Sequence, residues 1–115
     1  MAQLSINQRQ AGDVAILDLN GEVRIGDSAT ALRGAIRELV AAGNKKILLN
    51  LAGVRYIDSS GIGELVSSFT AVKKEGGNLK LLSLTQKIQD LLAITKLLTV
   101  FDTYDDEPSA LASYN

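Results

Sequence analysis

The chain contains no cysteine and no histidine. Without cysteine there are no disulfides and no thiol nucleophile, and nothing points to an oxidising compartment. Without histidine there is no Ser-His-Asp triad, and zinc sites of the Cys/His kind are excluded. Charge of one sign is also missing. Twelve basic residues face thirteen acidic ones, for a net charge of -1. Binding nucleic acid through phosphate neutralisation needs a basic surplus or stripe. Here Lys45-Lys46 and Lys73-Lys74 are only pairs at element ends, so no direct nucleic-acid contact is expected. No apolar run reaches about 18 residues, so no membrane insertion is expected. Met1-Ala2-Gln3-Leu4-Ser5 lacks the basic and apolar regions of a signal peptide, and a cytoplasmic protein is the expectation.

What remains is an ordinary globular balance, 46% apolar and 22% charged over 115 residues, enough for one domain spanning 1–115. Leu4-Ser5-Ile6-Asn7-Gln8 alternates as an edge strand. Gly12-Asp13 turns the chain, and Val14–Leu19 returns beside it as a hairpin. Asn20-Gly21 has the composition of a tight turn, and Glu22–Ile25 reads as a connection to a helix. Asp27 or Ser28 is the candidate N-cap. Ala29, Leu32, Ala35, Ile36, Leu39 and Val40 mark the helix's inner face, and Gly43-Asn44 stops it. An apolar strand follows over 46–51, in a run that suits a strand covered on both faces.

A second helix carries Ile62, Leu65, Val66, Phe69 and Val72 on its inner face. It ends at Lys73-Lys74-Glu75-Gly76-Gly77. A strand over 78–84 comes next, then a helix capped by Thr85 with Ile88, Leu91, Leu92 and Thr95 inward. Residues 100–104 read as a short last strand. Asp105-Asp106-Glu107-Pro108 starts a short helix anchored by Leu111. The expected fold class is α/β: strands alternating with helices give a mixed, mostly parallel sheet. Functional loops of such sheets lie at the carboxyl ends of the strands.

One of those ends holds Tyr56-Ile57-Asp58-Ser59-Ser60-Gly61-Ile62-Gly63-Glu64. Gly61-Ile62-Gly63 lacks the third glycine of a dinucleotide fingerprint, because Val66 stands there, and no acid follows at the required distance. The nucleophile elbow's glycine, two places before the serine, is absent too. Asp18 and Asn50 are polar residues within strands and read as strand-end or sheet-edge positions. Asp105-Asp106-Glu107 reads as a solvated helix start. Two readings of the Asp-Ser-Ser-Gly junction stand side by side. In one, Ser59 or Ser60 caps the helix, and Gly61 and Gly63 allow close packing. In the other, a hydroxyl accepts a phosphoryl group. A helix start favours a phosphate, and about -1.5 to -2 of added charge beside Asp58 repels an acidic or apolar partner.

Asn50-Leu51 and Val54-Arg55-Tyr56-Ile57-Asp58-Ser59-Ser60-Gly61-Ile62-Gly63 resemble the signature of STAS domains. The likeness is greatest to the bacterial anti-sigma factor antagonists. Leu19-Asn20-Gly21-Glu22-Val23 resembles the family's Leu-x-Gly-Glu-Leu element, and Gly76-Gly77-Asn78-Leu79 its Gly-Gly-x-Leu strand entry. The resemblance implies a single STAS-like domain, with helices mainly on one face of the sheet. It implies a binding protein rather than an enzyme, with no cofactor. Its unphosphorylated form would bind an anti-sigma factor serine kinase and free the sigma factor. Phosphorylation at Ser59 would release it, and a PP2C-type phosphatase would reset it. Asp58, Ser60, Gly61, Ile62 and Gly63, with Glu22, Arg24 and Asp27, would shape the switch and the docking face. STAS domains also serve as unswitched adaptor subunits in stress-signalling or lipid-transport assemblies. The family often has Asp where Arg24 stands, and a Ser-Gly-Leu-like turn where Ile94-Thr95-Lys96-Leu97 stands.

Overall fold

The computed structural model describes residues 4–114. In chain order it contains β1 (Leu4–Ala11), β2 (Val14–Val23), α1 (Asp27–Ala41), β3 (Lys46–Ile57) and α2 (Ser59–Lys74). These are followed by β4 (Asn78–Leu82), α3 (Gln86–Ile94), β5 (Thr103–Tyr104) and α4 (Glu107–Ala112). The strands lie side by side in sequence order. β1 runs antiparallel to β2 at one edge, and the other pairings are parallel. This is the mixed, mostly parallel α/β sheet that the alternation of elements predicts.

Period-two alternation decides which face each strand residue buries. Ala15, Leu17, Leu19, Ile47, Leu49, Leu51, Leu79 and Leu81 point to one face. There they meet Leu32, Ile36 and Leu39 of α1, Ile62, Leu65 and Val72 of α2, and Ile88 and Leu92 of α3. Val14, Ile16, Leu48 and Leu82 point to the other face, where α4 covers them with Ala110. Three helices on one face and one short helix on the other explain why residues 47–49 are apolar without a break.

Two strands outrun their expected length. β2 continues through Asn20-Gly21 to Val23, where a tight turn and a connection were expected. Both neighbours hold it: Gly21 pairs with Leu4 on β1, and Val23 with Ile57 on β3. Register shifts around Asp18/Asn20 and Gly21/Glu22 absorb the irregularity, as a bulge does. β3 likewise runs to Ile57, not 51. At Gly53 a Cβ would lie 1.9 Å from Asn20 Oδ1 and 2.9 Å from Leu19 O, so β2 and the bulged β3 fit together here around glycine.

The other ends differ in smaller ways. β4 stops at Leu82, and the last strand is only Thr103–Tyr104. Thr95 is exposed at the end of α3 rather than inward; its hydroxyl donates to Leu91 O and Leu92 O. Leu111 is half-buried, and Ala110 is the fully buried anchor of α4. Glu107 is no solvated acid. Arg9 donates to it and to Asp18, and Asn50 donates to Asp18, so two strand positions and α4 form one polar network.

Candidate functional site

β3 ends at Ile57 and α2 begins at Ser59, so Asp58 is the hinge between them. Its backbone is extended, and its side chain caps the helix: Gly61 N–H donates to Oδ1 at 2.8 Å. Neither serine is the cap. Oδ2 accepts a second bond, 3.0 Å from Ile25 N on the β2–α1 loop. One carboxylate therefore joins the start of α2 to the loop before α1. The Ile25 and Gly61 N–H groups, helped by Ser60 N–H and the charge of Arg24, hold its carboxyl below the usual carboxylate range.

Ser59 is the first residue of α2 and is exposed. Ser60 turns toward α1 and lines an open groove of about 360 Å³ between the starts of the two helices. Gly61 is a packing necessity. A Cβ there would approach Ile57 Cγ1 to 2.5 Å and Val23 O to 2.8 Å. Gly63 has no such reason: nothing lies within 4 Å of the place its Cβ would take. Ile62, expected at the border of the docking face, is only 4% exposed and packs into the core. It shapes the site from below.

The loop residues divide into two groups. Glu22 accepts from Arg24 Nε at 2.8 Å, and the Arg24 guanidinium lies 4.0 Å from the centre of the Tyr56 ring. Lys87, at the start of α3, reaches the same ring at 5.5 Å. Both cations thus stand on one aromatic beside Asp58. Ile25 is 77% exposed next to them, a large apolar side chain offered to solvent. Asp27 is exposed in the first turn of α1 and takes no part in the cap. Nor does Ser28 cap α1 from its N-cap position, which Gly26 occupies. Its buried hydroxyl instead accepts from Arg24 N–H at 2.7 Å and donates to Arg24 O at 3.0 Å. That pair of bonds pins the loop from inside.

Sequence reasoning passed over Glu64. It is buried, and Arg33 of α1 donates to it twice, at 2.6 and 3.1 Å. The available signal was an acid on the inner edge of an apolar helix face, four residues after Ser60. Lys87 was likewise invisible, because only the fold brings α3 to Tyr56. Among the described residues no group of His, Cys, Asp or Glu could hold a metal ion, and no helix is long and apolar enough to cross a membrane.

The chain as a whole resembles known proteins. The STAS domain model matches residues 5–110. The chain belongs to the STAS domain family. The anti-sigma-B factor antagonist of Bacillus subtilis is 32% identical over 99 residues, covering 86% of this chain and 89% of that one. The anti-sigma F factor antagonist of Paenibacillus polymyxa is 24% identical, covering 94% and 92%. A crystal structure of a Thermotoga maritima protein, provisionally named an anti-sigma factor antagonist, superposes with a TM-score of 0.87. It is 28% identical, covering 94% of this chain and 92% of that one. These three proteins, each matched over most of its length, carry the name anti-sigma factor antagonist.

Proposed function

We propose that this STAS protein, read as one domain over 1–115, is a phosphorylation-switched antagonist of an anti-sigma factor. In its unphosphorylated form it binds an anti-sigma factor serine kinase and so frees a sigma factor. The kinase transfers a phosphoryl group to Ser59, the complex separates, and a PP2C-type phosphatase restores the binding form. The protein is a ligand and substrate in this cycle, not its enzyme, and it acts in the cytoplasm. The carrying observation is the exposed Ser59 hydroxyl at the first position of α2, beside a carboxylate already committed to Gly61 and Ile25.

Physical chemistry supports a switch at this point. A phosphoserine brings about -1.5 to -2 of charge at neutral pH. The helix start stabilises part of it, but Asp58 lies alongside and the exposed Ile25 borders it. A partner that packs on Ile25 with the hydroxyl neutral then meets a strongly hydrated dianion.

The test is intact mass after incubation with ATP and the anti-sigma factor kinase of the same organism. Fragmentation of the tryptic peptide 56–73 must follow, because Ser59, Ser60, Ser67, Ser68 and Thr70 all lie in it. One phosphoryl group on Ser59 is expected. Ser59→Ala should then stay bound in the presence of ATP, and Ser59→Asp should bind weakly. Equal affinity of the two variants would sink the switch. An unmodified protein that still binds would favour the unswitched adaptor.

A further inference from the structure

Tyr56 carries two cations on one ring. The Arg24 guanidinium lies 4.0 Å from its centre and the Lys87 ammonium 5.5 Å. Among the described residues Phe69, Tyr104 and Tyr114 hold one cation each. The pair on Tyr56 comes from elements far apart in the chain, Arg24 from the β2–α1 loop and Lys87 from the first turn of α3. Like charges on one ring repel, and the acids nearby are already committed. Glu22 accepts from Arg24 at 2.8 Å. Asp58 gives its two oxygens to the Ile25 and Gly61 N–H groups. Asp90, on the same helix as Lys87, accepts from Gln86 at 2.8 Å. Lys87 itself has no acid partner among the described residues. A helix also disfavours a cation in its first turn, where its dipole is positive, and α3 has no acid there to offset it.

This positive charge stands beside Ser59. Val23 O accepts from Asp58 N–H at 3.2 Å, and Ile25 N–H donates to the Asp58 carboxylate at 3.0 Å. Arg24 lies between those two bonds, so its backbone is held against the residue that precedes Ser59. Tyr56 precedes Ser59 by three residues, and Lys87 approaches its ring from α3. The charge of Arg24 already acts on Asp58, where it helps to hold the carboxyl below its usual range. The charged groups on the elements that meet here are Glu22 and Arg24 on β2 and its loop, Asp27 on α1, Arg55 and Asp58 at the end of β3, and Lys87 on α3.

We infer that Arg24 and Lys87 receive the phosphoryl group of Ser59: once Ser59 is modified, Arg24 leaves Glu22 and, with Lys87, pairs with the phosphate. This rests on the reading of Ser59 as the phosphoacceptor. In the transfer the Ser59 oxygen bonds to the γ-phosphorus of ATP and the bond to the β-phosphate oxygen breaks. ADP leaves, and the hydroxyl proton passes to a base of the kinase. The product carries about -1.5 to -2 of charge and three acceptor oxygens. A guanidinium meets two such oxygens with parallel N–H donors. The single charge of Glu22 competes poorly with that, so the Arg24–Glu22 pair opens. Glu22 is then an uncovered acid near the exposed Ile25. One modification thus changes the docking face at two points, a phosphate at 59 and a bare carboxylate at 22.

The experiment uses the full chain with phosphoserine encoded at position 59, so that no kinase is needed to load it. Its phosphorus resonance is followed through a pH titration. The second pKa of an unpaired phosphoserine is about 6, and opposite charges close by lower a pKa by about 1–3. The unaltered chain should therefore titrate about one pH unit below the double variant Arg24→Gln, Lys87→Gln, with each single variant between them. Arg24 is partly exposed and Lys87 exposed, so these changes leave the core intact. Lys74→Gln removes the same charge at the far end of α2 and should titrate as the unaltered chain does, which separates local pairing from net charge. Coincident titrations of the unaltered chain and the double variant would overturn the inference and leave the acceptor reading standing. If the unphosphorylated double variant also lost affinity for the kinase, the two cations would instead serve an acidic surface of that partner. A kinase that modifies some residue other than Ser59 would overturn the acceptor reading, and this inference with it.

Discussion

Asp58 carries two bonds with two different oxygens, and a single substitution separates them. Asparagine has one accepting oxygen, and its amide nitrogen accepts nothing. Asp58→Asn can therefore keep the Gly61 cap and lose the Ile25 N–H, or the reverse, but not hold both. Asp58→Ala loses both. Removing a cap costs about 0.5–2 kcal/mol, so Asp58→Ala should fall in that range and Asp58→Asn well below it. Urea denaturation of the two variants checks the order, and equal losses would show that the loop bond carries the stability. Arg24 offers a different kind of test. Its ion pair with Glu22 is partly exposed, and such pairs contribute about 0–1 kcal/mol. Arg24→Asp should thus cost little stability and lower or raise affinity for the proposed kinase partner, because it reverses charge beside the exposed Ile25. Unchanged affinity in calorimetric titration would place Arg24 outside the interface. The cluster of acid, hydroxyls and glycines was legible in the sequence, whereas the capping residue was not. Asp, Ser and Ser are all good N-caps, and only the backbone angles tell which of three adjacent candidates is in the cap position.

Helix ends were readable where glycine marks them and unreadable where it does not. Gly43 and Gly76 adopt φ of +92° and +82°, in keeping with the stops expected there. α3 ends on the same geometry without glycine: Lys96 has φ of +61°, and Leu97 N–H donates to Leu92 O at 2.8 Å. A left-handed conformation disfavours an L side chain by roughly 1–2 kcal/mol. Lys96→Gly should accordingly raise stability by about 1 kcal/mol, net of the greater freedom of the unfolded chain. A drop in Tm would mean that the lysine side chain holds this turn. Between α1 and α2, Glu64 depends on Arg33 for both of its donors. Arg33→Ala leaves a carboxylate that is 4% exposed without them, and should cost about 1–3 kcal/mol by chemical denaturation. β2 and β3 were read too short for a related reason. Asn20-Gly21 and Gly53 carry turn chemistry, and two register shifts, each with the extra residue on β3, accommodate it within the strands.

At the scale of the molecule the lack of histidine decides how the protein meets pH. No side chain of this composition has an ordinary titration between about pH 5 and 8. The shifted carboxylates lie below that window. Arg9 holds Glu107 down, and Arg9 with Asn50 holds Asp18 down, each against the cost of burial. The Ile25 and Gly61 N–H groups do the same for Asp58, and the Ser109 backbone N–H and hydroxyl for Asp106. For a carboxylate whose folded value is depressed, the stabilisation is complete above the unfolded value of about 4 and is lost as pH falls through the folded value. Tyr114 bounds the alkaline side. Burial pushes its phenol up, against the Lys80 backbone bond that lowers it. A raised group stabilises fully below its unfolded value, about 10, and that contribution disappears as pH rises toward the folded value. Tm should therefore be level from about pH 5 to 9, fall steeply below 4 and decline above 10. The acid limb belongs partly to α4, since Glu107 ties it to Arg9, and Glu107→Gln should make that limb shallower. A slope near neutral pH would contradict the assignment, because no group named here titrates there. In the unphosphorylated protein, a switch proposed at Ser59 therefore has no neighbouring side chain with an ordinary titration near neutral pH, and the change of charge there would come with the phosphoryl group itself.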